Sequence, residues 1–166
     1  MSVRFKTTVN KFPDMEKALK SIDGKKVNVG VKGEHAWLAS IHEYGCTIHI
    51  TPKMRAWLHR NGFHVKDSTT QIVIPERSFL RSGFDECHLD AIEQGERILP
   101  IVIEGNLSED QLYEVVGSAL RDGIQDFAED MASPAKHPFT LERNGGKADL
   151  LTDTGDMINS IEWEVE

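Results

Sequence analysis

Residues 108–131 read SEDQLYEVVGSALRDGIQDFAEDM, and this stretch does most to decide the fold. Ser108 and Gln111 have the spacing of a capping box, in which the hydroxyl takes the amide of the third helical residue and the longer side chain returns the bond. Glu109 and Asp110 follow in the first turn, where the helix dipole favours anions. Leu112, Val115, Val116, Ala119, Leu120, Ile124, Phe127, Ala128 and Met131 then keep one apolar stripe through the whole segment. Such a helix must bury one side and leave the other in water. Gly123 falls on that stripe, which predicts a close neighbour there.

Working outward, residues 133–149 hold Pro134, Pro138, Gly145 and Gly146 and read as a long, exposed, mobile loop. The chain closes with a helical turn through Met157 and Ile158 and an alternating strand, Ile161-Trp163-Val165. Upstream, a helix is expected from about Phe84 to Leu99, ended or kinked by Pro100, which has no amide hydrogen. Val3 to Val9 and Lys25 to Val31 alternate as strands, with a short helix from Pro13-Asp14 to Ile22 between them. His35 to Tyr44 suits a short helix ended by Gly45, Thr47 to Ile50 a strand, Thr51-Pro52 a helix start, and Thr70 to Ile74 a strand closed by Pro75. The expected class is α+β. A small, mainly antiparallel sheet of the N-terminal strands and the C-terminal strand packs against two longer helices in one domain, 1–166.

The chain has 166 residues, 39% hydrophobic and 28% charged, with a net charge of −8. That balance argues against a general nucleic-acid coat, which needs a basic face for phosphates. No run reaches the roughly 20 apolar residues of a membrane span. The first residues carry no apolar signal-peptide core, and Cys46 and Cys87 lie far apart, so a reduced cytoplasmic state is expected.

Two motifs invite a catalytic reading. His42-Glu43 begins like the H-E-x-x-H of a metalloprotease helix, but Cys46 stands in the last position and Gly45 breaks the turn. His49, His59, His64 and Cys87 are further metal donors in principle, without a finger or ribbon spacing. Leu150-Leu151-Thr152-Asp153-Thr154-Gly155 presents D-T-G as an aspartic protease does. That chemistry needs two aspartates sharing a proton, and most of a barrel and flap downstream. The eleven residues after Gly155 read instead as a helical turn and one strand. The plainer reading is a helix start, with Asp153 or Thr154 as cap and Gly155 relieving the backbone. There is no G-x-S-x-G, and Gly145-Gly146-Lys147 lacks the Walker spacing. No catalytic, metal or cofactor site is therefore assigned, and a small hydrolase using Asp153 or the His42/Glu43/Cys46 region stands as the alternative. Trp37, Trp57 and Trp163 suit core or interface anchors better than base-stacking platforms.

Three segments taken in order resemble a known family: Leu38-Ala39-Ser40-Ile41-His42-Glu43-Tyr44-Gly45, Ile74-Pro75-Glu76-Arg77-Ser78-Phe79-Leu80-Arg81, and residues 150–155 with Met157, Ser160 and Ile161. With a long helix between the second and third, they are similar to the neck or tail-completion proteins of long-tailed bacteriophages, including the minor tail protein Z-like and virion morphogenesis groups. The resemblance runs over about residues 27–165. Glu76 and Ser78 stand where that pattern often has alanine and proline, Ala148-Asp149 where proline often precedes the leucine, and residues 51–70 lengthen the first link.

The resemblance implies a non-enzymatic virion protein, present in the host cytoplasm during assembly and then in the neck or tail. It would be an oligomer that contacts the head connector or tail-end proteins, without sequence-specific nucleic-acid binding or membrane attachment. The candidate assembly residues are His42, Glu43, Tyr44, Gly45, Pro75, Arg77, Phe79, Leu80, Arg81, Asp153, Thr154 and Gly155. In the second segment Pro75 stops a strand, Phe79 and Leu80 anchor the helix that follows, and Arg77 serves either an internal salt bridge or a subunit contact.

Overall fold

The computed structural model describes residues 10–135, 151 and 155–166. Helix α1 (Phe12–Ile22) leads to strand β1 (Val27–Val31), a 3-10 turn (Gly33–His35) and helix α2 (Ala36–Tyr44). Strand β2 (Cys46–His49), helix α3 (Pro52–Arg60) and strand β3 (Gln71–Ile74) follow. Two long helices, α4 (Phe79–Ile103) and α5 (Glu109–Asp130), precede a short helix α6 (Asp156–Asn159) and strand β4 (Ile161–Val165).

The class is α+β, as the periodicity implies. The N-terminal strand β1 pairs antiparallel with the C-terminal strand β4, Val27 opposite Val165 and Val31 opposite Ile161. Strands β2 and β3 form a separate antiparallel pair, Cys46 opposite Ile74 and His49 opposite Gln71, so the described strands divide into two small sheets. The expected strand Val3–Val9 and residues 136–149 of the expected loop lie outside the described residues.

Helix α5 carries the predicted capping box: the Ser108 hydroxyl accepts from the Gln111 amide at 3.3 Å, and Gln111 Oε1 accepts from the Ser108 amide at 2.9 Å. Its buried face is Leu112, Tyr113, Gly117, Leu120, Ile124 and Ala128. Glycines set its approach to α4. A Cβ on Gly83 would stand 3.2 Å from the Ile124 Cα, one on Gly123 2.6 Å from the Cys87 Cβ, and one on Gly95 2.7 Å from a Val116 methyl. The pairings 83 with 124, 87 with 123 and 95 with 116 make α4 and α5 an antiparallel hairpin.

Helix α4 differs from expectation at both ends. It starts at Phe79, five residues before Phe84, and it continues through Pro100 to Ile103. The proline removes one bond without ending the helix, because Glu104 still donates to the Pro100 carbonyl at 3.0 Å and the ring sits on the exposed side.

The β1–β4 sheet lies against α5, with Trp163 over Gly117. The central cluster joins Ala39, Phe79, Ile124, Ala128, Leu151, Met157, Ile158 and Ile161. Phe79, Ile124, Ile158 and Ile161 are almost wholly buried. Burying a side chain of that size contributes roughly 1.5–3 kcal/mol each, so these four define the centre of the fold. Helix α1 is tied on by the Tyr113 hydroxyl, which donates to the Ile22 carbonyl at 3.1 Å.

Candidate functional site

The first two motif segments meet at the start of α4. Gly45 ends α2 at φ 70°, a left-handed conformation that favours glycine. A Cβ there would lie 2.9 Å from both the Glu76 nitrogen and the Ile74 carbonyl oxygen. The positive φ and the close approach of β3 therefore both call for glycine. The Arg77 amide donates to the His42 carbonyl at 2.7 Å and locks the segment after Pro75 onto the end of α2.

Glu43 is the pivot. It is only 2% exposed, and its carboxylate accepts from the Leu80 amide at 2.9 Å, the Arg81 amide at 3.1 Å and the Arg81 Nε at 2.8 Å. The first amides of a helix have no partner within the helix and carry partial positive charge. Here a carboxylate from another helix supplies both the acceptor and the countercharge. The adjacent Ser78 makes no side-chain cap, and its hydroxyl lies 2.8 Å from that of Ser82.

Arg81 closes the joint from outside. Its Nη2 donates to Glu76 at 2.6 Å and to the Glu43 carbonyl at 3.1 Å, and its guanidinium lies 4.9 Å from the centre of the Tyr44 ring. The hydrogen bond to Glu43, then that to Glu76, raises the Arg81 pKa above its ordinary value. Arg77, only 7% exposed, donates from Nε to the Pro134 carbonyl at 3.1 Å and lies 3.5 Å from His42 Nδ1. Burial lowers its pKa from the usual arginine value. Among the described residues, the ion pair of this segment is thus made by Arg81, while Arg77 faces inward onto a carbonyl and an imidazole.

The remaining candidates divide by depth. Phe79 is fully buried and Leu80 packs against the same cluster, as anchors should. Pro75 and Tyr44 are exposed, Tyr44 at 67%. Gly155 is the N-cap of α6 at φ 84°, while Asp153 and Thr154 lie outside the described residues. The third segment reaches the first two through the core, where its Leu151, Met157, Ile158 and Ile161 meet Ala39 and Phe79.

Among the described residues, no three His, Cys, Asp or Glu side chains are grouped as metal ligands would be. Both cysteines are free thiols. Cys87 Sγ donates to the Leu120 carbonyl at 3.7 Å, and burial pushes its pKa up. No helix among the described residues is long and apolar enough to cross a membrane.

The role of Glu43 as the cap of α4 is invisible to local sequence rules, which look for a cap within a few residues of the helix start. The available signal is indirect: Ser78 has Arg81 at the capping-box position instead of Glu or Gln. No family model, curated protein or solved structure matches the chain.

Proposed function

We propose that the chain is a structural tail-completion or head–tail joining protein of a tailed bacteriophage or prophage, acting through protein–protein contacts and not as an enzyme. The observation that carries this reading is how the three motif segments use their residues. Gly45 and His42 seat the second segment, Glu43 and Arg81 fasten the start of α4, and the third segment fills the core beside Ala39 and Phe79. These backbone and side-chain groups build a joint between α2 and the start of α4, which suits a component that carries load between larger assemblies. In particular, the Glu43 carboxylate is engaged by two amides and a guanidinium, which disfavours its use as the base of a metal-type hydrolase.

Exposed large apolar side chains support contact with other proteins. Phe12 is 78% exposed and Trp37 73%, with Tyr44, Trp57, Val73 and Leu89 all above half. Scattered single apolars are ordinary on a surface, but aromatics at this exposure are typical interface anchors. The partners in this reading are the head connector or tail-end proteins, met in the host cytoplasm before the protein enters the virion.

The decisive experiment deletes the gene from its phage or prophage and images the particles after induction. Separate filled heads and finished tails, rejoined when the protein is supplied in trans, are expected. Intact infectious virions formed without the protein would overturn the proposal.

A further inference from the structure

Between Cys46 and Glu76 no residue is buried, although the segment contains two strands and a helix. Among the described residues, residues 46–74 form an arm whose own sheet has two strands, each with one side that no other described strand pairs. The arm is pinned internally by Arg55, which donates to the carbonyls of Val65, Lys66 and Thr69 at 3.2, 2.7 and 2.6 Å. Its shape is therefore set before any partner arrives.

Charge separates the arm from the rest of the molecule. It carries four cations, Lys53, Arg55, Arg60 and Lys66, against one carboxylate, Asp67, in a chain whose net charge is −8. On α3, Lys53, Trp57 and Arg60 are spaced by four and three and are all exposed, so an aromatic ring stands between two cations on one helix face. Trp57 is 54% exposed.

The complementary surface exists on the same chain. A groove of about 590 Å³ runs between α4 and α5. Asp90, Glu114 and Asp126 are among its charged lining, and the half-buried Val115 and Ala119 supply apolar lining. Small side chains there leave room for a bulky ring, and the carboxylates match the flanking cations.

We infer that the α3 face of one copy docks in the α4–α5 groove of a second copy, with Trp57 against the apolar lining and Lys53 and Arg60 on the carboxylates. The two surfaces differ, so the contact propagates head-to-tail into a ring or an open chain unless two copies exchange arms reciprocally about a two-fold axis. The match of charge selects a copy of this chain over an unrelated apolar partner.

Analytical ultracentrifugation of the purified full chain tests this, with circular dichroism confirming that each variant is folded. The wild type is expected to self-associate as concentration rises. An arm variant, W57A/R60A, and a groove variant, D90N/D126N, should each weaken self-association by roughly 100-fold. Mixed in equal amounts they should form a one-to-one dimer and nothing larger, because one intact arm meets one intact groove. A wild type that stays monomeric, variants that assemble as the wild type does, or a mixture that stays monomeric would each overturn the interface. So would a monomeric chain whose arm instead binds random-sequence duplex DNA, lost in W57A/R60A. Self-association is measured without phage, so its failure leaves the joining role standing, and normal virions without this protein would leave the interface standing.

Discussion

The carboxylate of Glu43 caps the helix that begins beside Leu80, accepting its amide at 2.9 Å from 37 residues upstream in the chain. The bond matters because its carboxylate end is buried and because Arg81 adds a charged donor to the same carboxylate at 2.8 Å. Removing the side chain leaves two helix-start amides unpaired beside the core residue Phe79. Glu43→Ala is expected to lower stability by about 2–4 kcal/mol, and Glu43→Gln by about 1–2 kcal/mol because one carbonyl oxygen remains. Urea unfolding gives the numbers, and amide exchange at Leu80 and Arg81 should quicken in both variants. Stability within about 0.5 kcal/mol of wild type in Glu43→Ala would remove this residue from the account of the fold.

Gly117 and Trp163 are the tightest meeting of sheet and helix: a Cβ at position 117 would overlap the indole. Gly117→Ala should therefore cost about 1–3 kcal/mol by overpacking and change the tryptophan emission as Trp163 shifts. Gly30, on β1, has nothing within 4 Å of the Cβ position, so Gly30→Ala is the matched control and should be neutral or slightly stabilising. Equal effects at the two sites would mean that the sheet adjusts freely over α5.

What the sequence made legible was whatever is decided locally. The capping box of Ser108 and Gln111, the part of the α5 stripe made by Leu112, Leu120, Ile124 and Ala128, and the Thr51 cap of α3, whose oxygen accepts from the Met54 amide at 3.2 Å, all follow from local spacing, whereas Tyr113 and Gly117 join the buried face from outside the expected stripe. The close neighbour expected at Gly123 is Cys87. The start of α4 was not legible, because its cap comes from Glu43 on α2. Nor was the division of roles between two arginines four apart. Arg77 and Arg81 look alike in sequence, and only the fold turns the first inward to Pro134 and the second onto Glu43 and Glu76. The pairing of β2 with β3 is not legible either, because each strand is evident by itself, while its partner depends on where Gly45 sends the chain.

Cys87 sits in the α4–α5 contact with its thiol on the Leu120 carbonyl, and burial is the main cause that raises its pKa. Nearby Asp90 and Glu86 act in the same direction, since negative charge disfavours a thiolate. At pH 8 the native thiol is therefore less ionised than in the unfolded chain. Alkylation of Cys87 by iodoacetamide should be at least about 10-fold slower in the native protein than in urea, with peptide mapping to separate it from Cys46. Comparable rates in the two states would indicate that α4 and α5 open readily at this point.

Pro100 lies inside α4 on its exposed side, three residues before the end at Ile103. It has no amide to donate, so the helix bond that would reach back four residues to Glu96 cannot form, and the ring crowds that carbonyl. An alanine restores the donor and has the highest helix propensity. Pro100→Ala should therefore stabilise the protein by about 1–3 kcal/mol, less than the full propensity difference because the last turn frays. The gain should appear as a higher denaturant midpoint with an unchanged slope, since the surface exposed on unfolding stays the same. A loss of stability instead would mean that the fixed φ of Pro100 is needed to aim the short link through Gly105 into the Ser108 cap of α5, a link that already uses a positive φ of 80° at Gly105. The two outcomes have opposite signs, so one unfolding curve separates a tolerated defect from a required proline.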